Sequence, residues 1–466
     1  MGDGCRLAIV SGKLGDVDGV SLETDKWIRV LGEQGHEVYT ISGKYSSVLT
    51  SVPQERQLTV DAIRFDSDRQ RHYEHQVFPY LNSTRPLLLN SDQQNEVVEE
   101  LESLGADVAN HLFDIIKENS IDAIIAENTN AMPMTLLGGI AVHLLATEMR
   151  VATIFHHHDF WWERSRFSRN SISDLLNRIM PPSDLALEHV VISSYAAHIL
   201  SSIKRVSPFV IPNCEDFDSP PVPDEYNQSL RSELGFRDDD ILVVQPTRIV
   251  PRKRIEDSVS LLGKLIARYP EFRDRIQYII SLYQGDEPNE NYIEQIQEQA
   301  ESLGLPLHFV SDRVASVRGV DAAGRRLFTN RDVLVNADLV TYLPIWEGFG
   351  NALLEALAAR APVVATTYLV YKTDIMPSGI KNIEIRDRYD DAGSLVIPDT
   401  ALESIHYLLT HPEYRRDLVE RNFQIAKNEF SLDVLRERLN KVLSVYGDEM
   451  RASRQRLAKS KLNYSV

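Results

Sequence analysis

Cysteine is nearly absent: Cys5 and Cys214 are the only two in 466 residues, and they show no paired spacing. Neither a disulfide framework nor a cysteine zinc site can therefore organise the chain, and a reducing, cytoplasmic setting is expected. No run of about eighteen apolar residues occurs, so no membrane-spanning helix is expected. The opening Met1-Gly2-Asp3-Gly4-Cys5-Arg6 has neither the apolar stretch of a signal peptide nor the Ser or Thr of a myristoylation motif. Basic charge is also scarce. With 50 Lys and Arg against 68 Asp and Glu, the net charge of -18 would repel a nucleic-acid backbone or an anionic membrane surface. The expected partners are small molecules, with no nucleic acid and no integral membrane association. No repeat of fixed period and no low-complexity tract is found. Gly12, Gly15 and Gly19 match neither G-x-G-x-x-G nor G-x-x-x-x-G-K-[ST], which argues against a dinucleotide fingerprint and a P-loop and leaves a mobile binding loop.

What is present is a globular composition, 43% hydrophobic and 25% charged, in a chain too long for one ordinary core. Short apolar runs alternate with stretches of helical period, the pattern of parallel sheets wrapped by helices, so the fold class is α/β. Strands are expected at Arg6–Val10, Glu37–Ile41, Ala123–Glu127, Val151–Phe155 and Val190–Ser193, with helices at Leu22–Gln34, Asn95–Asn119, Pro133–Thr147 and Tyr195–Ile203. A second series has strands at Ile241–Gln245, Gln277–Ser281, Leu307–Phe309, Ala337–Leu343 and Pro362–Thr366, and helices at Arg254–Arg268, Tyr292–Leu303 and Asn351–Arg360. The acidic, proline-bearing stretch Glu215–Tyr226 is the expected linker. The expected domains are 1–214, 215–430, and a C-terminal helix over 431–466 packing back towards the first. Residues Lys44–Pro86 are the least readable.

Three segments carry chemistry. Trp346-Glu347-Gly348-Phe349-Gly350-Asn351-Ala352-Leu353-Leu354-Glu355 lies between a strand and a helix. Its glycines permit close backbone approach, and a helix N-terminus offers N–H groups and positive potential to phosphate. Glu347 and Glu355 flank that anion site, and carboxylates repel phosphate, so they suit sugar hydroxyls. Their natural ligand carries both groups. Directly after the strand Ile241–Gln245 come Arg248, Arg252, Lys253 and Arg254, four cations at the end of a sheet where ligands collect in open α/β folds. Arg and Lys there neutralise a leaving diphosphate.

The third segment is His156-His157-His158-Asp159-Phe160-Trp161-Trp162-Glu163-Arg164. Strand alternation puts His156 and His158 on one face and His157 on the other. Adjacent strand positions diverge and no other histidine cluster is apparent, so metal is the weaker assignment. A histidine donating to a sugar hydroxyl or phosphate is the stronger. Arg164, Arg166 and Arg169 could hold an anionic acceptor, and Trp161 and Trp162 could stack on a sugar. The Asp-x-Asp arrays Asp66–Asp68, Asp216–Asp218 and Asp238–Asp240 are chance in so acidic a chain.

These residues resemble the retaining glycosyltransferases of family 4, whose GT-B fold has two facing Rossmann-like domains with parallel sheets and an interdomain cleft. The resemblance covers most of the chain. It rests on Glu347 and Glu355 with the Gly-Phe-Gly-Asn between them, Pro362-Val363-Val364-Ala365, the Arg248 and Lys253 spacing, Ile211-Pro212-Asn213 and His158-Asp159. It implies that Arg248 and Lys253 hold the donor diphosphate, Glu355 the ribose hydroxyls and Glu347 the donor sugar. Gly348, Phe349, Gly350, Asn351 and Leu353 complete the donor side. His158 would lie beside the reacting anomeric carbon, and Gly19 and Val20 belong to a loop closing over the phosphates. The acceptor side would be His156, Asp159, Trp162, Arg164, Arg166 and Asn128. No metal and no cofactor is required in that family, and configuration is retained by front-face substitution. The chain departs from the family pattern at Asp18, where Gly is frequent, and at Arg254, also often Gly.

The histidine and tryptophan run, with Tyr368-Leu369-Val370-Tyr371-Lys372-Thr373-Asp374-Ile375, is similar to enzymes that glycosylate small carboxylated solutes, such as mannosylglucosylglycerate synthases. The expectation is hexosyl transfer from a GDP-mannose or UDP-glucose type donor to a soluble acceptor such as a glycerate glycoside. A GT-B epimerase or phosphorylase, or a non-catalytic nucleotide-sugar-binding regulatory protein, remains open, as does the choice between His156 and His158 at the anomeric carbon.

Overall fold

The computed structural model describes residues 4–16, 18–79, 89–282 and 290–462, and it divides into two compact units: Met1–Pro212 with Leu435–Val466, and Asn213–Val434. The first unit is built on strands β1 (Arg6–Ser11), β2 (Glu37–Ser42), β3 (Gln57–Thr59), β4 (Ala123–Glu127), β5 (Ala152–His157), β6 (Glu188–Val191) and β7 (Phe209–Val210), in the order β3-β2-β1-β4-β5-β6-β7. Every pairing is parallel. Parallel neighbours need crossovers; β2 and β3 are joined through a loop with one 3-10 turn, and the others run through helices α1 (Gly19–Glu33), α2 (Asp68–Val77), α3 (Ser91–Glu118), α4 (Leu136–Thr147), α5 (Ser165–Ser168), α6 (Ser173–Ile179) and α7 (Ser194–Lys204). Covered on both faces, β4 and β5 are buried at every position, which is why they read as apolar runs.

The second unit has a short helix α8 (Leu230–Glu233), then β8 (Ile241–Gln245), α9 (Ile255–Arg268), β9 (Ile276–Ile280), α10 (Glu290–Leu303) and β10 (Leu307–Phe309). An antiparallel pair, β11 (Gly319–Val320) and β12 (Arg326–Leu327), precedes α11 (Asn330–Val335), β13 (Leu339–Tyr342), α12 (Asn351–Ala358), β14 (Val363–Thr366), β15 (Ile383–Ile385), α13 (Asp399–Thr410) and α14 (Pro412–Phe430). The main sheet is again parallel, in the order β10-β9-β8-β13-β14-β15. The chain then passes into α15 (Leu432–Val445) and α16 (Gly447–Leu462). These cover the first unit's sheet: Tyr446 Oη accepts the Thr153 N–H at 3.2 Å, Ser453 Oγ accepts the Ala152 N–H at 3.1 Å, and Arg454 pairs with Asp122. Among the described residues no helix is long and apolar enough to cross a membrane.

Strand order reverses between β1 and β4 in one sheet and between β8 and β13 in the other. At such a switch the loops after the two central strands diverge and open a crevice at the strand ends. The histidine segment begins in the last two residues of β5 and runs on from its end, beside the first switch. The cationic segment follows β8 and the glutamate segment follows β13.

Several boundaries differ from the sequence expectation. The strand expected at Val190–Ser193 starts at Glu188, and Ser193 instead caps α7, its Oγ accepting the Ala196 N–H at 3.1 Å. In Lys44–Pro86 the structure finds β3 and α2, both unread, and residues 80–86 lie outside the described residues. The helix α2 buries only Gln70, Tyr73 and Val77, too thin an apolar stripe to show a period.

Candidate active site

In the second unit, the turn after β8 runs through Pro251–Lys253 into α9, and the loop after β13 carries Glu347. Lys253 Nζ is hydrogen-bonded to Glu347 Oε1, and Arg252 reaches the same oxygen at 3.2 Å. Both Lys253 and Glu347 are 9% exposed. Burial pushes the Lys253 amine down to about 8, Glu347 acting upward and Arg252 and Arg248 acting downward with burial. Burial raises the Glu347 carboxyl, but Lys253 and Arg252 outweigh it and hold it below the ordinary range. Two cations thus share one carboxylate. The surplus positive charge is a ready-made attraction for an anion.

Arg248 is half-buried on the same stretch of chain. Arg254, by contrast, turns away: it bonds Asp257 at 2.7 Å and pairs with Glu256 at 3.2 Å. Its φ of 53° and ψ of 50° lie in the left-handed region, which glycine enters without strain and which explains the glycine frequent there in the resembling family.

Glu347 leads through Gly348 and Phe349 to Gly350, the N-cap of α12, which has φ of 131° and makes no side-chain capping bond. A Cβ on Gly350 would stand 2.5 Å from the Tyr368 hydroxyl, so only glycine fits. That hydroxyl donates to the Phe349 carbonyl at 2.7 Å and pins the loop. The Leu353 and Leu354 amides close the first turn on the Gly350 carbonyl at 3.0 and 3.2 Å, and the helix dipole places positive potential at this end of α12. Asn351 Oδ1 accepts from Asn213 at 2.6 Å, while Leu353 is fully buried and serves packing. One turn on, Glu355 Oε2 accepts from Asn330 Nδ2 at 2.9 Å, and Ser281 Oγ donates to Asn330 Oδ1 at 2.7 Å.

In the first unit, parallel register sets Glu127 of β4 opposite His156 of β5. Glu127 Oε2 lies 2.8 Å from His156 Nδ1, and its Oε1 lies 2.7 Å from His158 Nε2. His157 points to the other face and meets His189 at 3.0 Å. Glu127 and His156 are wholly buried, whereas His158 is 8% exposed, so His158 is the member of the pair that reaches the surface. His156 instead stacks on Trp27, with centroids 4.1 Å apart.

Glu127, His156 and His158 each bring one ligand atom within 4.8 Å of the others, a convergence the sequence did not suggest. Two atoms sharing a tetrahedral ion at ~2.0 Å stand ~3.3 Å apart. The observed separations are shorter and belong to hydrogen bonds. Burial raises the Glu127 carboxyl, but the two imidazoles dominate and lower it to about 2. Burial lowers both histidines. In His158 the Glu127 carboxylate, with Glu23 and Asp159, outweighs burial and lifts the imidazole above its ordinary value, while His156 stays below.

Around this group Asn128 has φ of 54°, its N–H donates to the His156 carbonyl at 2.9 Å, and its Oδ1 accepts the His158 N–H at 3.1 Å. Asn tolerates that left-handed conformation better than other residues with a Cβ. Asp159 is bonded by Arg164, Nε to Oδ2 at 2.9 Å, so much of the Arg164 charge is already balanced. Arg166 lies over the Phe167 ring, 4.4 Å from its centroid, and Trp162 is half-buried, stacked on Phe160 at 4.7 Å.

One expected donor is engaged elsewhere. Asp18 caps α1, its Oδ1 accepting the Val20 and Ser21 N–H groups at 3.0 Å each, so the Val20 amide is bonded within the loop rather than available to a phosphate. Gly19 next to it is exposed. The Asp-x-Asp arrays enter ordinary ion pairs: Asp66 with Lys44 and Arg64, Asp218 with Lys427, Asp240 with Arg237.

Sequence reasoning missed Glu127, Asn330 and Ser281. Glu127 closes an apolar strand, and an acid in that position was the available signal. Asn330 and Ser281 stand in unremarkable contexts, and only the fold brings them to Glu355.

The glycosyl transferases group 1 family matches residues 227–424. A mannosylglucosylglycerate synthase of Thermotoga maritima is 31% identical over 455 residues, covering 94% of this chain and 99% of that protein. One from Petrotoga mobilis is 26% identical over 452 residues, covering 93% and 100%. Among solved structures, WaaG, a glycosyltransferase involved in lipopolysaccharide biosynthesis, aligns with a TM-score of 0.60 at 14% identity, covering 95% of this chain and 100% of that one. Anabaena HepE in complex with UDP and glucose aligns with a TM-score of 0.59 at 16% identity, covering 94% and 99%. The two parallel sheets and the identity sustained along nearly the whole length agree: this chain belongs to the group 1 glycosyl transferases and is a glycosyltransferase of the GT-B fold.

Proposed function

We propose that the enzyme moves a hexosyl group, with retention of configuration, from a nucleotide diphosphate sugar to a small carboxylated acceptor, GDP-mannose and a glucosylglycerate being the pair favoured. The observation that carries this is the cluster of Lys253 and Arg252 on Glu347, on the loop that leads into the N-terminus of α12. The cations and helix amides suit a diphosphate, while the carboxylates of Glu347 and Glu355 suit the hydroxyls of sugar and ribose. Arg248 and Lys253 carry the charge of the departing diphosphate in this mechanism, with no metal assigned to that task. Phe349, Gly350 and Asn351 line the same site.

In the reaction the anomeric C–O bond to phosphate breaks, and a bond forms from the same carbon to an acceptor hydroxyl oxygen. The acceptor proton passes to the departing phosphate oxygen. His158 donates to the sugar undergoing transfer, and Asn128, Asp159, Trp162, Arg164 and Arg166 form the acceptor side, with Asp159 holding the Arg164 fork in place. The likeness to mannosylglucosylglycerate synthases supports the acceptor class. We place the protein in family 4, working in the cytoplasm.

The test is a panel of UDP-, GDP- and ADP-sugars against sugar and glycerate acceptors, read by nucleotide release, product mass and the anomeric coupling in the product NMR spectrum. A product one hexose heavier, with the donor's configuration, is expected. Turnover without acceptor, or only with inorganic phosphate, would replace the assignment with an epimerase or a phosphorylase.

A further inference from the structure

We propose that Glu127 is a positioning residue for His158, holding its ring by Nε2 so that Nδ1 is presented to the substrate, and that it does this as a carboxylate rather than by shape alone. The inference rests on the role assigned to His158 above. Its ground is geometric. Glu127 is the last residue of β4, wholly buried, with one oxygen on each of two imidazoles that leave β5 on the same face.

A buried carboxylate without such partners would be expelled or protonated, so its two imidazole partners make it an anchored negative charge. Each partner then has its orientation fixed. His158 Nε2 faces Glu127 at 2.7 Å, which leaves Nδ1 as the ring atom directed away from it. His156, braced by Trp27 at 4.1 Å, fills the space behind and prevents Glu127 from rotating off His158.

The consequence is electrostatic as well as steric. The charged groups acting on His158 are Glu127 from β4, Glu23 from α1, and Asp159, with His156 as its neighbour on β5. Glu23 is itself paired with Lys26 at 3.1 Å, and Asp159 with Arg164, which leaves Glu127 as the dominant negative charge. The protonated imidazole carries an Nδ1–H donor for a sugar hydroxyl or a phosphate oxygen; the neutral ring, held as the Nε2–H tautomer, presents only a lone pair there. Glu127 therefore sets the pH at which the donor is lost. Since the carboxylate favours the charged ring, His158 keeps its donor at low pH and loses it as pH rises through its own titration.

The experiment uses the full-length enzyme labelled with 15N at histidine, with His158 assigned by the signal lost in His158→Gln. In the wild type the neutral His158 ring should be the Nε2–H tautomer. An Nδ1–H tautomer overturns the proposal without any change to Glu127. In Glu127→Gln the side chain keeps its size, and Gln can still accept from Nε2–H, but the charge is gone. His158 should then titrate about one to two units lower, the effect of one opposite charge within hydrogen-bond range.

The alkaline fall of kcat for transfer should move down by the same interval, with the donor KM changed less than twofold. A uniform loss of kcat at all pH values, with the His158 titration unmoved, would mean that Glu127 only fills space and would overturn the proposal. A shifted titration with an unshifted kcat profile overturns it also. Should the wild type transfer no sugar at all, the assigned function fails, while the tautomer and titration still decide whether Glu127 controls His158.

Discussion

Glu347→Gln removes the one negative charge that Lys253 and Arg252 share, at a site where Lys253 and Glu347 are each 9% exposed. Deleting one partner of a buried ion pair destabilises by roughly 3–5 kcal/mol, because the remaining charge is left without compensation. The loss should fall at about 3 kcal/mol. Lys253 already titrates at about 8, so with its counter-charge gone it sheds its proton near neutrality and escapes part of the penalty. For a unit the size of Asn213–Val434, each kcal/mol shifts the midpoint by about 2–4 °C, which gives a fall of about 6–12 °C at pH 7. The assay is scanning calorimetry of the unit's transition at pH 7 and pH 9. Because the mutant's stranded charge is an ammonium, the deficit should shrink at pH 9, where Lys253 is neutral in both proteins. A midpoint within about 2 °C of wild type at pH 7, or a deficit that grows at pH 9, would mean that Glu347 does not balance the buried Lys253 charge.

Lys253 also predicts how donor affinity depends on pH. In the proposed donor site the ammonium form holds the diphosphate, and it is present below about 8, so the donor KM should rise about tenfold from pH 7 to pH 9. Initial rates in Lys253→Arg should show no such rise, since guanidinium stays charged. Asn330→Ala unfastens Glu355 from Ser281, and at about 1 kcal/mol per hydrogen bond the donor KM should increase about fivefold with kcat little changed. A kcat loss exceeding the KM effect would argue that Asn330 acts on the reacting atoms instead.

Much of the architecture was legible because parallel strands covered on both faces must be apolar throughout. Ala123–Glu127 and Ile241–Gln245 are strands over the residues their composition indicated, and so is the half-buried edge strand Leu307–Phe309. The three-residue strand Gln57–Thr59 and the polar helix Asp68–Val77 carry too little apolar periodicity to be seen. The two glycines of the Glu347–Glu355 segment announced a tight junction, and φ of 131° at Gly350 gives the physical reason for one of them. What a sequence conveys poorly is register. Glu127 meets His156 only because β4 and β5 align them, and Asn330 meets Glu355 only because α11 and α12 lie side by side. Asp18 was visible as a departure from the family, but its capping of the Val20 amide followed from the local turn of the chain.

Binding and activation of a nucleotide diphosphate sugar at Lys253 and Glu347 is the proposal on which the assigned function stands. Its most direct test is acceptor-dependent release of GDP from GDP-mannose with glucosylglycerate, measured for the wild type, Lys253→Ala and Glu347→Ala. Release in step with a product one hexose heavier is expected in the wild type, and a fall of at least about a hundredfold in both variants, from losing charge stabilisation of the leaving group. Near-wild-type release in both variants would contradict it.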